Sequence, residues 1–251
     1  MPDMNQFDRT ARLMGRQAVE KLGHARIAVF GLGAVGSFAV EALARTGVGY
    51  LRLVDFDRVD MSNINRQLYA LHSTLGEKKA EIARARVQDI YPACDVEICD
   101  TFVNAGSLDT LLSPDIDVVV DAIDGLNSKV NLLVAARQMG LCVVSSMGAG
   151  GRKDVSRIRT GDIAETQVCP LARVVRRRLH RRGVFTGIRC VYSLEPPVLS
   201  TDAKILPEPE AQDPGNSAGH GRHRPPLGTI PWIPGIFGLT LAAEAVQIIT
   251  G

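Results

Sequence analysis

The sequence predicts an α/β fold, a doubly wound and mostly parallel sheet, with a further region appended after it. Three observations predict it. Short β-rich runs alternate with helical ones from Arg26 onward, a Gly-x-Gly-x-x-Gly follows the first run, and aspartates close two of the later runs. A chain of 251 residues that is 45% hydrophobic and 22% charged can bury a sizeable core, in one large domain or two small ones.

Taken in order, Arg26–Phe30 (RIAVF) reads as a buried first strand. Gly31-Leu32-Gly33-Ala34-Val35-Gly36 comes next, then an Ala-rich helix that should stop near Gly47. A second strand, Tyr50–Val54, ends in Asp55-Phe56-Asp57. Thr74-x-x-Glu77 has the form of a capping box and predicts a helix from there to about Ile90, terminated by Tyr91-Pro92. Residues 96–99, 117–121 (DVVVD) and 141–145 read as strands, with a helix over 128–139 between the last two. An apolar helix at about 235–249 is expected to pack back on the sheet. The stretch 230–249 is the closest approach to a membrane segment, but Glu244 and Gln247 interrupt it and two prolines and two glycines sit near its start. A packed amphipathic helix, with no integral membrane insertion, is the expectation.

Charge and cysteine usage bound the function classes. A formal net charge of +2 names no partner, yet residues 151–190 hold eleven Lys or Arg against three Asp or Glu, densest at 173–182. Residues 1–10 carry Asp3, Asp8 and Arg9 and no apolar core, so no secretory signal is read there and a cytoplasmic location is expected. The five cysteines (Cys94, Cys99, Cys142, Cys169, Cys190) form no Cys-x-x-Cys pair, which points away from a zinc site or disulfide framework and toward reduced thiols. Residues 207–226, rich in Pro, Gly, Ser and His, read as a mobile loop. His72, His180, His220 and His223 lack metal-ligand spacing and read as loop or surface residues.

The glycine motif between a strand and a helix lets backbone approach a phosphate and presents helix N–H donors to it. In a Rossmann-like fold Asp55, closing the second strand, would hold a ribose hydroxyl, which suits NAD or ATP equally. The residues after Asp57 help to choose: Asn63, Arg66 and Gln67, then Lys78-Lys79 at the start of the next helix. Hydride transfer has no need of an Arg and a Lys converging with carboxylates beside a phosphate loop, whereas adenylation of a carboxylate does. Expulsion of pyrophosphate needs cations to neutralise growing phosphate charge, and an acidic residue to hold Mg²⁺. Asp121-Ala122-Ile123-Asp124 lies at the carboxyl end of a later strand, where ligands of open α/β sheets bind.

The run GLGAVG, LVDFDRVDMSNINRQ, GEKKAE and DAIDG resembles the ThiF/MoeB/HesA superfamily of adenylating enzymes, which includes ubiquitin-activating enzymes, over nearly the whole chain. Within it FDRTARLMG, ALARTGVG, GAGG, RCVYSLEPP and RPPLGTIPW with FGL resemble the tRNA threonylcarbamoyladenosine dehydratase branch. The resemblance implies one adenylating domain over 1–251, with a nucleotide-binding part at about 24–150 and a substrate region with closing helix at about 151–251. It implies a homodimer with ATP over Gly31, Gly33 and Gly36, Asp55 and Asp57 near the nucleotide, Asn63, Arg66 and Lys79 on the phosphates, and Asp124 on Mg²⁺. Arg9, with Arg12 as second choice, matches an arginine that reaches into the partner's site. The implied substrate is threonylcarbamoyladenosine in tRNA, dehydrated by ring closure after adenylation. Arg173, Arg176, Arg177, Arg178, Arg181 and Arg182 are then expected to meet RNA phosphates.

Plainer readings stand beside these. Lys78 reads as a solvated helix residue, Asp57 as a turn stabiliser as much as a ligand contact, and Asp121 as a strand-end structural residue. The arginines have amphipathic spacing around Val174, Val175 and Leu179 and would also suit a solvated face. Cys169 and Cys190 lie where some relatives carry a reactive cysteine, yet burial is the commoner fate. The sequence departs from the branch at Ala34, where glycine is common, at Cys169, where an aspartate is usual, and over 212–226. Two rival functions remain at this point: adenylation of the Gly-Gly tail of a small ubiquitin-like sulfur carrier, with a sulfur-relay partner, and a nucleotide-binding regulator that turns nothing over.

Overall fold

The computed structural model describes residues 6–198 and 227–251. The loop expected at 207–226, with His220 and His223, and the amino-terminal residues 1–5 with Asp3 lie outside the described residues.

Seven strands form one sheet in the order β3-β2-β1-β4-β5-β7-β6. They are β1 (Arg26–Phe30), β2 (Tyr50–Val54), β3 (Asp95–Cys99), β4 (Val118–Asp121), β5 (Cys142–Ser146), β6 (Ile158–Asp162) and β7 (Arg189–Ser193). All neighbours pair in parallel except β6, which runs antiparallel to β7 at the edge. The helices are α1 (Asp8–Met14), α2 (Arg16–His24), α3 (Gly36–Thr46), α4 (Lys79–Ile90), α5 (Leu108–Leu111), α6 (Leu126–Gln138), α7 (Pro170–His180) and α8 (Trp232–Thr250).

Central strands covered on both faces need apolar residues at every position, and β2 and β4 are buried throughout. Successive side chains of β1 divide between two cores. Ile27 and Val29 join Val40, Leu43, Phe237 and Leu241 on the α3 and α8 side, while Ala28 and Phe30 join Leu132, Leu133, Val175 and Leu179 on the α6 and α7 side. The segment beyond residue 150 adds β6 and β7 to this same sheet. Phe7 anchors the amino-terminal helices, buried with its ring edge-on to Tyr91 at 5.0 Å.

Two helix expectations need correction. Thr74 caps no long helix: its hydroxyl accepts the Leu71 N–H (2.9 Å) and donates to the Tyr69 carbonyl (2.7 Å), closing a short 3-10 turn over His72–Thr74. The helix begins only at Lys79, after Lys78 in extended conformation. The final helix starts at Trp232, earlier than expected, because Pro234 falls in its first turn, where a missing N–H costs nothing. It is packed but not amphipathic: Phe237, Leu241 and Ala245 are buried, and Trp232, Leu239 and Ile248 are exposed on other sides. By length and composition α8 is apolar enough to cross a membrane, and in this fold half of it is buried against the protein.

Gly238 permits the close crossing of α8 over α3, since a Cβ there would lie 2.2 Å from the Val35 carbonyl and 2.8 Å from the Phe38 Cβ. Gly238→Ala must push the two helices apart. The expected cost is about 2 kcal/mol, read as a fall of about 5 °C in Tm by thermal denaturation.

Candidate active site at the carboxyl edge of the sheet

The strand order reverses at β1, whose chain successors leave toward β2 on one side while β4 pairs on the other. The crevice at the carboxyl ends of β1 and β4 is therefore the switch point where open α/β sheets bind ligands. Gly31 follows β1 with φ +88°, and a Cβ on it would lie 2.8 Å from the Ala122 carbonyl. Gly36 would place a Cβ 1.8 Å from the Gly31 carbonyl. Gly33 differs: the nearest atom to its would-be Cβ is Gln67 Nε2 at 3.7 Å, so the protein's own packing does not require glycine there. What that glycine leaves open is the approach of a ligand to the loop.

Asp55 fastens the loop from the side. Its carboxylate accepts the Leu32 N–H at 2.6 Å and the Asp57 N–H at 2.8 Å. Burial pushes this carboxyl above its ordinary value, against the opposing pull of the Lys79 ammonium and the Leu32 N–H. Lys79 is itself buried, donates to Asp57 Oδ2 at 2.7 Å, and through its backbone N–H bonds the Asp57 carbonyl at 3.0 Å. Lys78 turns away to pair with Asp100, so it is neither a free helix residue nor a substitute for Lys79.

Between Asp57 and α4 the chain folds back over the glycine loop. Ser37 Oγ accepts the Leu68 N–H at 3.2 Å, which ties this excursion to the first turn of α3. Asn63 Oδ1 accepts the Asp60 N–H at 3.2 Å, and Arg66 donates from one nitrogen to the Ser62 carbonyl (2.6 Å) and to Asn65 Oδ1 (2.8 Å). Asp124 stands exposed on the turn after β4, one residue before Gly125. Arg9 is exposed on α1, and Arg12 pairs with Asp8 at 2.8 Å. No hydrogen bond or ion pair among the described residues joins Arg9 to the glycine loop.

Asp121 is fully buried between Lys129 Nζ and Ser145 Oγ, each at 2.6 Å, which fits the structural reading of it. Lys129 and Ser145 were not anticipated, nor was Arg152. The buried Arg152 donates to the carbonyls of Glu195 (2.9 Å), Gly150 (3.2 Å) and Gly148. The signal available in advance was a lone lysine in the apolar run of α6. Cys169 and Cys190 are buried, and desolvation pushes the Cys190 thiol above its ordinary value, the environment of a packed rather than a reactive cysteine. Among the described residues no group of three or more His, Cys, Asp or Glu side chains is placed to hold a metal.

The six clustered arginines divide. Arg176 donates to Thr166 Oγ1 (2.7 Å) and the Thr166 carbonyl (2.8 Å), Arg178 to Asn127 Oδ1 (2.5 Å), and Arg182 to Asn131 Oδ1 (2.6 Å). Arg173, Arg177 and Arg181 are exposed at successive four-residue steps and line an open depression of about 570 Å³ with Arg176 and the exposed His180.

A glycine loop at the switch point, flanked by a buried lysine paired with an aspartate, belongs to the adenylating α/β enzymes, and the chain is a member of the ThiF family, matched over residues 7–251. Its relatives are specific. It is 35% identical to the tRNA threonylcarbamoyladenosine dehydratase of Bacillus subtilis (strain 168), over 97% of this chain and 94% of that one. It is 39% identical to the Escherichia coli (strain K12) enzyme of the same name, over 75% and 73%. A yeast relative, tRNA threonylcarbamoyladenosine dehydratase 2 of Saccharomyces cerevisiae, is 38% identical, and this chain spans about half its length. The crystal structure of the E. coli dehydratase in complex with ATP superposes with a TM-score of 0.83 at 33% identity, covering 98% of this chain and 94% of the other.

The two adjacent lysines separate in a simple test. Lys79→Met leaves Asp55 and Asp57 facing each other without their buried cation, for an expected loss of about 2 kcal/mol by urea denaturation. Lys78→Met breaks only an exposed pair and is expected to cost under about 0.5 kcal/mol.

Proposed function

We propose that this chain is an ATP-dependent dehydratase acting on N6-threonylcarbamoyladenosine next to the anticodon of tRNA, through adenylation of the threonyl carboxylate. The observation that carries the proposal is the buried Lys79, clasped by Asp57 and close to Asp55, beside a glycine loop whose Gly33 is left open. The full-length likeness to dehydratases, one of them solved with ATP, supports it.

ATP lies over Gly31, Gly33 and Gly36, with Asp55 at the ribose and Asp57 setting the lysine. Asn63, Arg66 and Lys79 hold the phosphates. Asp57 is already paired with Lys79, so Asp124, an exposed carboxylate without an ion pair among the described residues, is the one that would hold Mg²⁺, an ion that takes one or two carboxylates together with substrate phosphates. Held there, Mg²⁺ would supply charge neutralisation at the phosphates. The threonyl carboxylate oxygen attacks the α-phosphorus, the bond to the β-phosphate oxygen breaks, and pyrophosphate leaves. A nucleophile of the carbamoyl group then attacks the acyl carbon, a ring closes, and AMP departs with the carboxylate oxygen, so water is lost overall. Ring closure is intramolecular and needs no enzyme thiol, in keeping with the buried Cys169 and Cys190.

The enzyme acts as a cytoplasmic homodimer in which Arg9 enters the partner's nucleotide site. Residues 24–150 bind nucleotide, and 151–251 supply the tRNA surface and the closing helix. On that surface Arg173, Arg177 and Arg181 take the phosphates first, because their side chains make no hydrogen bond or ion pair among the described residues, whereas Arg176, Arg178 and Arg182 are each oriented by a neighbouring side chain.

Mass spectrometry of nucleosides from tRNA carrying the threonylcarbamoyl group, incubated with the protein, ATP and Mg²⁺, should show loss of one water mass, absent with Asp124→Ala. An unchanged nucleoside from protein that still binds ATP would sink the proposal and move the search to a ubiquitin-like carrier. For the RNA surface, Arg173→Ala/Arg177→Ala/Arg181→Ala should reduce the slope of log affinity against log salt by about 2 in a tRNA binding titration. Arg178→Ala/Arg182→Ala should reduce that slope by less, by under about 1.

A further inference from the structure

The one fully buried ion pair among the described residues has no part in the chemistry above. Lys129 and Asp121 are both inaccessible to solvent, with Nζ 2.6 Å from Oδ2. The same ammonium donates to the Ser146 carbonyl at 2.9 Å. The same carboxylate accepts from Ser145 Oγ at 2.6 Å and, through Oδ1, from the Ile123 N–H at 3.1 Å. Two side chains thus bind four pieces together: the end of β4, the turn immediately after it, the last two residues of β5, and the first turn of α6.

The turn so held is the one pressed on the glycine loop. A Cβ on Gly31 would lie 2.8 Å from the Ala122 carbonyl oxygen and 3.1 Å from the Ile123 nitrogen, and Asp124 is the next residue. Ile123 therefore meets the loop on one side and the Asp121 carboxylate on the other. Desolvating a lysine and an aspartate costs about as much as their attraction returns, so such a pair is a poor source of net stability and is often replaceable by apolar residues. Its directional bonds are what apolar residues do not reproduce.

We propose that the Lys129–Asp121 pair, with Ser145, is a positioning device for nucleotide binding, fixing the Asp124 turn against the glycine loop. The inference rests on reading this crevice as the ATP site. Lys129 is a positioning residue, and it touches no reacting atom.

The test is MgATP affinity by titration calorimetry beside Tm, on the full chain. Lys129→Met alone leaves a buried carboxylate without its counter-charge and should lower both. Asp121→Asn/Lys129→Met removes both charges, so Tm should return to within about 5 °C of the wild type. ATP affinity should nevertheless stay weaker by about tenfold, because α6 is no longer tethered through Lys129 to the turn and to the Ser146 carbonyl. Recovery of both quantities in the double variant would show a purely structural pair and overturn the inference. Should the double variant fail to fold, Ser145→Ala decides: it removes one bond to Asp121 and strands no charge. A several-fold weaker affinity at little changed Tm supports positioning, and an unchanged affinity overturns it. A wild type that binds no ATP is a different failure, that of the nucleotide reading, and takes this inference with it.

Discussion

The backbone contact between the glycine loop and the turn after β4 is the constraint on which the rest of the site depends. Phe30 and Asp121 are in register at the ends of adjacent parallel strands, so the two chains leave the sheet side by side. For the Gly31 backbone to pass within contact of Ala122 there is no room for a side chain at Gly31, and for α3 to start where it does there is none at Gly36. The contact is main chain against main chain, which makes it insensitive to rotamer changes and sensitive to any added Cβ. It also fixes where Asp124 stands relative to the loop.

Around this contact, cations are held before any ligand arrives. Lys79 is buried against Asp57, and Lys129 against Asp121. An ammonium placed in a crevice of low dielectric without a carboxylate would carry a desolvation penalty of several kcal/mol. The aspartates therefore do two things: they supply the counter-charge and they fix where each ammonium points. Asp55 is the exception among them, because both its oxygens are already engaged by backbone N–H groups and burial disfavours its charge. A charge-stabilising site assembled in advance avoids reorganisation during the reaction, which is the larger part of electrostatic catalysis.

The central strands and the glycine loop were legible because their signal is local: unbroken apolar runs, then glycines, then an aspartate. Thr74 and Glu77 misled for the same reason, since a capping box is also local and here Thr74 found nearer partners in a 3-10 turn. That Lys79 and not Lys78 faces the crevice comes from one extended residue before α4, and two adjacent lysines look alike in sequence. Lys129 left one trace, a lone lysine in an apolar helix, but its partner Asp121 and the roles of Ser145 and Arg152 carry no spacing signature, because they depend on how separate segments meet. The extension of the sheet by β6 and β7 was hidden by composition: the arginines around them dominate the segment, and β6 contains a glycine and charged residues that disguise an edge strand.

The division of the arginines carries the most consequence for how substrate and chemistry are linked. Composition counts six equivalent charges, but a helix of 3.6 residues per turn presents them to different neighbours. Arg178 and Arg182 reach Asn127 and Asn131 on α6, a helix whose first turn also holds Lys129. Arg173, Arg177 and Arg181 are left along one exposed edge, about 12 Å from first to last at 1.5 Å per residue. At its amino end α7 is preceded by Cys169, packed near Gly148 just past the end of β5. The helix thus touches the crevice edge with one end and offers charge to solvent along its length. The exposed charge along α7 and the crevice beside its amino end are built from different side chains, so either can be altered without the other.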